Sequence, residues 1–88
     1  MKLAFTPQGW EEYCALRGVD TKAHKKLDAL ISECLRHPFS GTGKPEPLKE
    51  NLKGWWSRRI SREHRLVYRV SGSAEAQMLE VAQCMYHY

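Results

Sequence analysis

The pattern between residues 21 and 36 constrains the fold most. Its apolar side chains recur at intervals of three and four residues, which places them on one face of a helix; they are Ala23, Leu27, Leu30, Ile31, Cys34 and Leu35. Asp20 or Thr21 is the predicted cap, and His37-Pro38 ends the helix because the position before a proline disfavours helical geometry. A helix with one apolar face needs a second layer to bury that face.

A shorter helix precedes this one. Thr6 as N-cap and Pro7 at the first helical position form a typical helix start, and Gly18 is the predicted end. One side of this helix carries Trp10, Tyr13, Cys14 and Arg17. Residues 2–6, ahead of the helix, are predicted to form a short strand.

The second half of the chain predicts the sheet. Trp55–Ile60, Arg65–Val70 and Gln77–Tyr86 are rich in aromatic, β-branched and apolar residues, and short polar links separate them, as in an antiparallel meander. Residues 39–48 hold two glycines and two prolines, so they are predicted to be a loop. The order β-α-α-β-β-β predicts a single α+β domain over residues 1–88, with both helices on one face of an antiparallel-rich sheet.

Several classes of protein are excluded. A chain of 88 residues allows one domain, and no run without Asp, Glu, Lys or Arg exceeds eight residues, so a membrane span is not expected. The first residues lack the apolar core of a secretory signal. Three widely spaced cysteines, Cys14, Cys34 and Cys84, do not form a disulfide framework and are expected to be reduced and buried. We therefore expect a cytoplasmic protein.

Two apparent ligand motifs are also set aside. Cys34 with His37 and Cys84 with His87 imitate a zinc set, but the second pair falls on a predicted strand, where positions i and i+3 point to opposite faces. Residues 41–44 (Gly-Thr-Gly-Lys) lack the full spacing of a nucleotide-binding loop. No metal and no cofactor are predicted.

The positive charge is concentrated in one stretch. Residues 44–70 carry eight basic and three acidic residues, a net charge of +5, whereas the whole chain has +4. Trp55, Trp56 and Tyr68 lie among these cations, as in surfaces that bind phosphates and stack on bases. On charge alone, a nucleic-acid surface and an ordinary solvated face remain equally open.

Some of these residues could converge on one surface. Arg59 and Arg65 lie on adjacent predicted strands, Glu46 and Lys49 on the preceding loop, and His87 at the end of the last strand. A carboxylate, an imidazole and fixed cations suffice for RNA cleavage without a metal, since the 2′-OH needs a base, the leaving oxygen an acid and the phosphorane a counter-charge. Taken singly, a terminal histidine such as His87 is usually just an exposed residue, and Glu46 between two prolines is consistent with an ordinary solvated acid.

Four blocks of the sequence closely resemble the YoeB/Txe-type toxins of the RelE superfamily. They are Gly43-Lys-Pro-Glu-Pro-Leu-Lys49, Asn51-Leu-Lys-Gly-Trp-Trp-Ser-Arg-Arg-Ile60, Glu63-His-Arg-Leu-Val-Tyr68 and the ending Tyr86-His-Tyr88. The resemblance implies a RelE-like fold and the toxin of a type II toxin–antitoxin pair. It also implies a ribosome-dependent mRNA endonuclease that cuts in the ribosomal A site.

The resemblance assigns roles to six residues. Glu46 would be the general base on the 2′-OH and His87 the general acid for the leaving oxygen. Arg65 would stabilise the transition-state phosphate, and Tyr88 would orient the substrate. The other two phosphate contacts would come from Lys49 and Arg59.

The resemblance also implies partners. These are an antitoxin of the YefM/Axe kind, whose flexible acidic segment would cover the site, and a possible homodimer. Glu50 and Met85 stand where the family commonly has positive or potentially positive side chains, so affinity for RNA or the ribosome is expected to be weaker. The alternatives are a non-catalytic toxin of the same fold and a nucleic-acid-binding module.

Overall fold

The computed structural model describes residues 1–86 and has the predicted α+β architecture. Two consecutive helices lie between the first strand and four later ones. The elements are β1 (Lys2–Phe5), α1 (Pro7–Val19), α2 (Thr21–Arg36), β2 (Glu46–Pro47), a 3-10 turn (Glu50–Leu52), β3 (Trp56–Arg59), β4 (Arg65–Ser71) and β5 (Met78–Gln83). Neither helix is long and apolar enough to cross a membrane, among the residues described.

The five strands form one sheet in the order β1-β5-β4-β3-β2. The meander of β3, β4 and β5 is antiparallel, as predicted, while β1 pairs in parallel with β5 at the opposite edge from β2. The prediction of a loop over residues 39–48 was wrong at Glu46–Pro47, which pair with β3. A two-residue edge strand tolerates proline because its outer edge needs no donor.

Both helix starts agree with the prediction. The Thr6 hydroxyl oxygen accepts a hydrogen bond from the Gly9 N–H at 3.0 Å, and an Asp20 carboxylate oxygen accepts one from the Ala23 N–H at 3.0 Å. Asp20 also ends α1, since its own N–H donates to the Leu16 carbonyl oxygen. The two helices are therefore separated by a single residue.

The core lies between the helices and one face of the sheet. The predicted face of α2 is confirmed: five of its six positions are buried and Leu35 is half-buried. The buried residues of α1 are Gly9 and Leu16, whereas Trp10 is 54% exposed. A side chain at Gly9 would collide with the backbone of Val81, so glycine allows α1 to approach β5 closely.

The Arg58 guanidinium is fully buried and forms the most connected polar group of the fold. It donates to the Glu33 carboxylate, to the Tyr68 hydroxyl at 3.2 Å and to the Thr42 carbonyl at 3.1 Å. Two further carbonyl oxygens, of His37 and Ser40, also accept from it. The place of Arg58 in the charged stretch had suggested that it belongs to the basic surface. The structure shows instead that it is internal and joins α2 and the following loop to β3.

The partners of Arg58 are held in fixed ionisation states. The Thr42 backbone N–H and then the Arg58 guanidinium hold the pKa of Glu33 below its usual range. Burial raises the pKa of Tyr68 to about 12, so its hydroxyl stays protonated. This hydroxyl donates a hydrogen bond to the Pro38 carbonyl oxygen. A carboxylate, a guanidinium and a phenol thus stabilise one another beneath the loop.

The cysteines divide into two kinds. Cys34 and Cys84 are buried, as predicted, but Cys14 is exposed, because Gly9 and Leu16 occupy the inward side of α1. Burial first, and the nearby Glu12 carboxylate second, raise the pKa of the Cys84 thiol to about 12. At pH 8 this thiol is un-ionised.

Replacing Arg58 with leucine is expected to lower the free energy of unfolding by about 3–5 kcal/mol, because the change leaves a buried set of acceptors without a donor. Arg59→Leu is the matched control, since Arg59 follows on the same strand but is exposed; its effect should stay within about 0.5 kcal/mol. Urea unfolding followed by circular dichroism measures both. Equal losses in the two variants would contradict the structural role of Arg58.

The thiols should differ in reactivity at pH 8. Cys14 is expected to react with a maleimide in the folded protein because it is exposed, whereas Cys34 and Cys84 should react only after unfolding, since they are buried and a thiolate is the reacting species. Mass spectrometry of native and urea-treated protein counts the labels. The variant Cys14→Ser serves as the control and should take up no label while folded.

Candidate active site

The strand register brings three of the predicted site residues onto one face of the sheet. Glu46 is paired with Ser57, and Ser57 with Val67, while Arg59 is paired with Arg65. Paired residues point to the same face, and so do residues two apart along a strand. Leu66 and Tyr68, which alternate with these positions, pack in the core beneath the helices. Glu46, Arg59 and Arg65 therefore share the face that the helices leave open.

Arg59 and Arg65 lie directly opposite each other on β3 and β4. Like charges in this relation have Cβ atoms about 5 Å apart and destabilise a sheet. Arg59 is exposed and Arg65 is half-buried, so water screens the pair only in part. An anion bound between the two guanidinium groups would relieve their repulsion.

The turn before β4 orients the Arg65 guanidinium. Its Nη1 donates to the carbonyl oxygens of Ser61 at 3.0 Å and His64 at 3.1 Å. A guanidinium carries five N–H donors, so this anchoring leaves several for a ligand. Arg65 is thus a cation of fixed position, as stabilisation of a phosphate requires.

Gly43 determines where Glu46 lies. The Gly43 carbonyl oxygen accepts from the Arg59 N–H at 2.7 Å, which joins the loop to β3 three residues before Glu46. The φ angle of Gly43 is 85°, and a Cβ there would lie 3.0 Å from the Arg59 carbonyl oxygen. Only glycine meets both conditions, and Glu46 is consequently placed beside β3 with an exposed carboxylate.

Lys49 lies outside the paired strands. It precedes the 3-10 turn, its side chain is exposed, and its carbonyl oxygen accepts from the Leu52 N–H at 3.1 Å. The structure therefore gives Lys49 a position at the margin of the open face, beyond β2, and not in the row formed by Glu46, Arg59 and Arg65.

Four backbone groups bring the C-terminal segment, residues 84–86, to the same region. One Glu12 carboxylate oxygen accepts from the N–H groups of Cys84 at 2.8 Å and Met85 at 3.1 Å. The Tyr86 N–H donates to His64 Nδ1 at 2.8 Å, and the Tyr86 carbonyl oxygen accepts from the Arg65 N–H at 3.2 Å. β5 therefore ends at Gln83, earlier than the predicted Tyr86. His87 and Tyr88 lie outside the described residues.

The basic stretch is less charged at the surface than its sequence indicates. Arg58 is paired internally with Glu33, and Arg69 forms an ion pair of 2.7 Å with Glu80. Without these two arginines, residues 44–70 carry six basic and three acidic residues. Their net charge of +3 still marks this surface as the basic one.

The aromatic residues of the stretch have different roles. Tyr68 is fully buried, and Trp56 packs on Phe39 with ring centroids 4.8 Å apart and on the core. The interpretation of Tyr68 as a base-stacking residue was therefore wrong. Trp55 is half-buried, and the Arg69 guanidinium lies 4.5 Å from its ring centroid.

Two residues of this region were missed by the sequence analysis. Glu12 and His64 were not among the predicted site residues, yet they hold the C-terminal segment across 72 and 22 residues of sequence. No local pattern signals such long-range contacts. Among residues 1–86 no group of three or more His, Cys, Asp or Glu side chains is placed to hold a metal ion.

Known proteins resemble this chain over its whole length. A family model described as "YoeB-like toxin of bacterial type II toxin-antitoxin system" matches residues 5–88. Toxin YoeB of Escherichia coli (strain K12) is 48% identical over 88 residues, which is 100% of both chains. The resemblance to YoeB-type toxins that the four sequence blocks indicated is thus confirmed over the whole chain.

Solved structures share the fold. The YoeB/ParE toxin from Agrobacterium tumefaciens is 51% identical, covers 100% of both chains and has a TM-score of 0.93. YoeB from Staphylococcus aureus has a TM-score of 0.85 both as a dimer, at 42% identity, and in the YoeB-YefM complex, at 40% identity; each covers 100% of this chain and 98% of the other. The predicted RelE-like fold is confirmed.

The opposed arginines should bind polyanions together. Arg59→Gln and Arg65→Gln are each expected to reduce the slope of log affinity against log salt by about 0.7 for a single-stranded RNA, because each removes one phosphate contact. Fluorescence anisotropy over a series of KCl concentrations measures the slope. Lys22→Gln, on the exposed side of α2, is the control and should leave it unchanged. Equal slopes in all four proteins would exclude an anion site at the arginine pair.

Proposed function

This chain belongs to the YoeB-like toxins of bacterial type II toxin–antitoxin systems, and from that membership we propose that it is an endoribonuclease that cuts mRNA in the ribosomal A site. One observation carries the proposal: the register places the Glu46 carboxylate on the same open face as the opposed Arg59 and Arg65. A base and two cations on one accessible surface suit a phosphodiester.

The proposed reaction needs no metal. Glu46 takes the proton of a ribose 2′-OH, and the 2′ oxygen attacks the adjacent phosphorus to give a phosphorane. The bond from phosphorus to the 5′ oxygen then breaks, and His87 gives its proton to that oxygen. The products are a 2′,3′-cyclic phosphate and a 5′-OH, so DNA, which lacks the 2′-OH, is not a substrate.

The cations stabilise the charge that develops during this reaction. Arg65, held by two carbonyl oxygens, is already oriented when the phosphorane forms, which is the condition for effective electrostatic stabilisation. Arg59 contacts the same phosphate from the opposite strand, and Lys49, at the margin, a neighbouring one. Tyr88 orients the substrate beside His87.

The open form of the site supports action on the ribosome. Glu46 is exposed on a sheet face, so the protein itself encloses little of an RNA strand. In the proposed mechanism the A site supplies the missing constraint by holding the mRNA extended against this face. Such a role places the protein in the cytoplasm.

The proposal includes two protein partners. An antitoxin, like YefM in the Staphylococcus aureus complex, would bind this chain and place an acidic segment on the basic face, where charge complementarity favours it. A homodimer, as in the other structure of that protein, is the second assembly. Glu50, exposed on the 3-10 turn, adds negative charge beside Lys49 and would weaken RNA binding.

Purified protein added to translating ribosomes should produce new mRNA ends at the A-site codon. Glu46→Ala and His87→Ala are each expected to reduce the cleavage rate by about 10²- to 10⁴-fold, since each removes one proton-transfer group. Primer extension maps the ends, and enzymatic end analysis identifies the cyclic phosphate.

Glu63→Ala is the matched control, because it removes an exposed carboxylate from the turn between β3 and β4; its rate should equal that of the wild type. Absence of cleavage by the wild type, with ribosome binding intact, would overturn the nuclease and leave a toxin that acts by binding alone.

A further inference from the structure

The C-terminal segment leaves β5 and turns sharply at Tyr86. The φ angle of Tyr86 is 61°, in the left-handed region that residues other than glycine seldom adopt. A conformation of this kind persists only where surrounding contacts impose it. The backbone conformation at Tyr86 therefore depends on the contacts that hold this residue.

His64 provides most of that hold. It is buried, its Nδ1 accepts the Tyr86 N–H at 2.8 Å, and its ring lies against the Tyr86 ring with centroids 5.3 Å apart. The adjoining Arg65 N–H donates to the Tyr86 carbonyl oxygen at 3.2 Å. His64, just before β4, and Arg65, the first residue of β4, thus hold the N–H and the carbonyl oxygen of the strained Tyr86.

The same histidine is joined to the phosphate-binding side of the site. Its carbonyl oxygen accepts from Arg65 Nη1 at 3.1 Å, and its N–H donates to the Ser61 hydroxyl oxygen at 3.2 Å. The main chain of His64 therefore fixes the Arg65 guanidinium while the imidazole fixes the C-terminal segment. A shift of His64 would change the distance between the two parts.

We propose that His64 is a positioning residue, whose imidazole holds the Tyr86 amide and thereby fixes, relative to Arg65, the segment of main chain that precedes the proposed acid. The inference rests on the nuclease proposed above, in which His87 and Tyr88 act on the substrate. An Nδ1 that accepts a hydrogen bond carries no proton, so the imidazole has its proton on Nε2. Glu12 accepts hydrogen bonds from the N–H groups of Cys84 and Met85, whereas the N–H of Tyr86 is bound by His64.

Three variants separate this role from ordinary core packing. His64→Phe keeps a buried ring but removes the acceptor. His64→Asn restores it, because the side-chain oxygen of asparagine occupies the place of Nδ1. His24→Phe is the matched control, since His24 is another buried histidine, on α2, that does not contact the C-terminal segment in the structure described.

Two measurements are made on each protein. Amide hydrogen exchange at Tyr86, read by NMR on the protein alone, should be about tenfold faster in His64→Phe. On programmed ribosomes the maximal cleavage rate of that variant should fall about 10²-fold, as expected for a misplaced catalytic group, while the ribosome concentration at half-maximal rate stays within about twofold. His64→Asn and His24→Phe should match the wild type in both.

The outcomes are distinct. Unchanged Tyr86 exchange and cleavage in His64→Phe, or losses in His64→Asn as large as in His64→Phe, would overturn the proposal. If Tyr86 exchanges faster in His64→Phe but the wild type does not cleave mRNA, the contact between His64 and Tyr86 is supported and the proposed nuclease activity is refuted. Should His64→Phe not fold, the nitrogen chemical shifts of His64 in the wild type decide: a proton on Nδ1 would refute the inference, and a proton on Nε2 would support it.

Discussion

The buried guanidinium of Arg58 is the interaction on which the rest of the structure depends. It joins β3 to Glu33 on α2 and to three carbonyl oxygens of the loop after that helix. A loop with two glycines and two prolines has little local preference for one conformation, so its carbonyl groups need a common donor. Once the loop is fixed there, Gly43 meets Arg59, and Glu46 reaches the open face of the sheet.

Consecutive arginines on β3 thus serve opposite purposes. Arg58 points to the core and is neutralised there, whereas Arg59 points to the open face and opposes Arg65. The alternation of a strand places a buried, paired cation and a surface cation on successive residues. The pairing of Arg58 thus lies on one face of β3, and the unfavourable pair of Arg59 and Arg65 lies on the other.

Local patterns predicted the fold well and long-range contacts poorly. The face of α2 and the caps at Thr6 and Asp20 depend on neighbours within a few residues, and all were predicted correctly. The inward role of Arg58 could not be predicted, because its main partner is 25 residues away. The C-terminal anchors are likewise distant in sequence, so the predicted sheet suggested that the end of the chain lies near the arginine pair but did not show that Glu12 and His64 hold residues 84–86.

The anchors hold main-chain amides and not side chains. Glu12 binds the N–H groups of Cys84 and Met85, and His64 binds that of Tyr86. The path of the main chain over residues 84–86 therefore does not depend on these contacts being made by the side chain at position 85. Met85 itself packs against the core. Where the resemblance leads one to expect a basic residue, Met85 therefore lowers the positive charge and leaves the main-chain contacts in place. The charge of residues 84–86 and the path of their main chain are in this way separate properties.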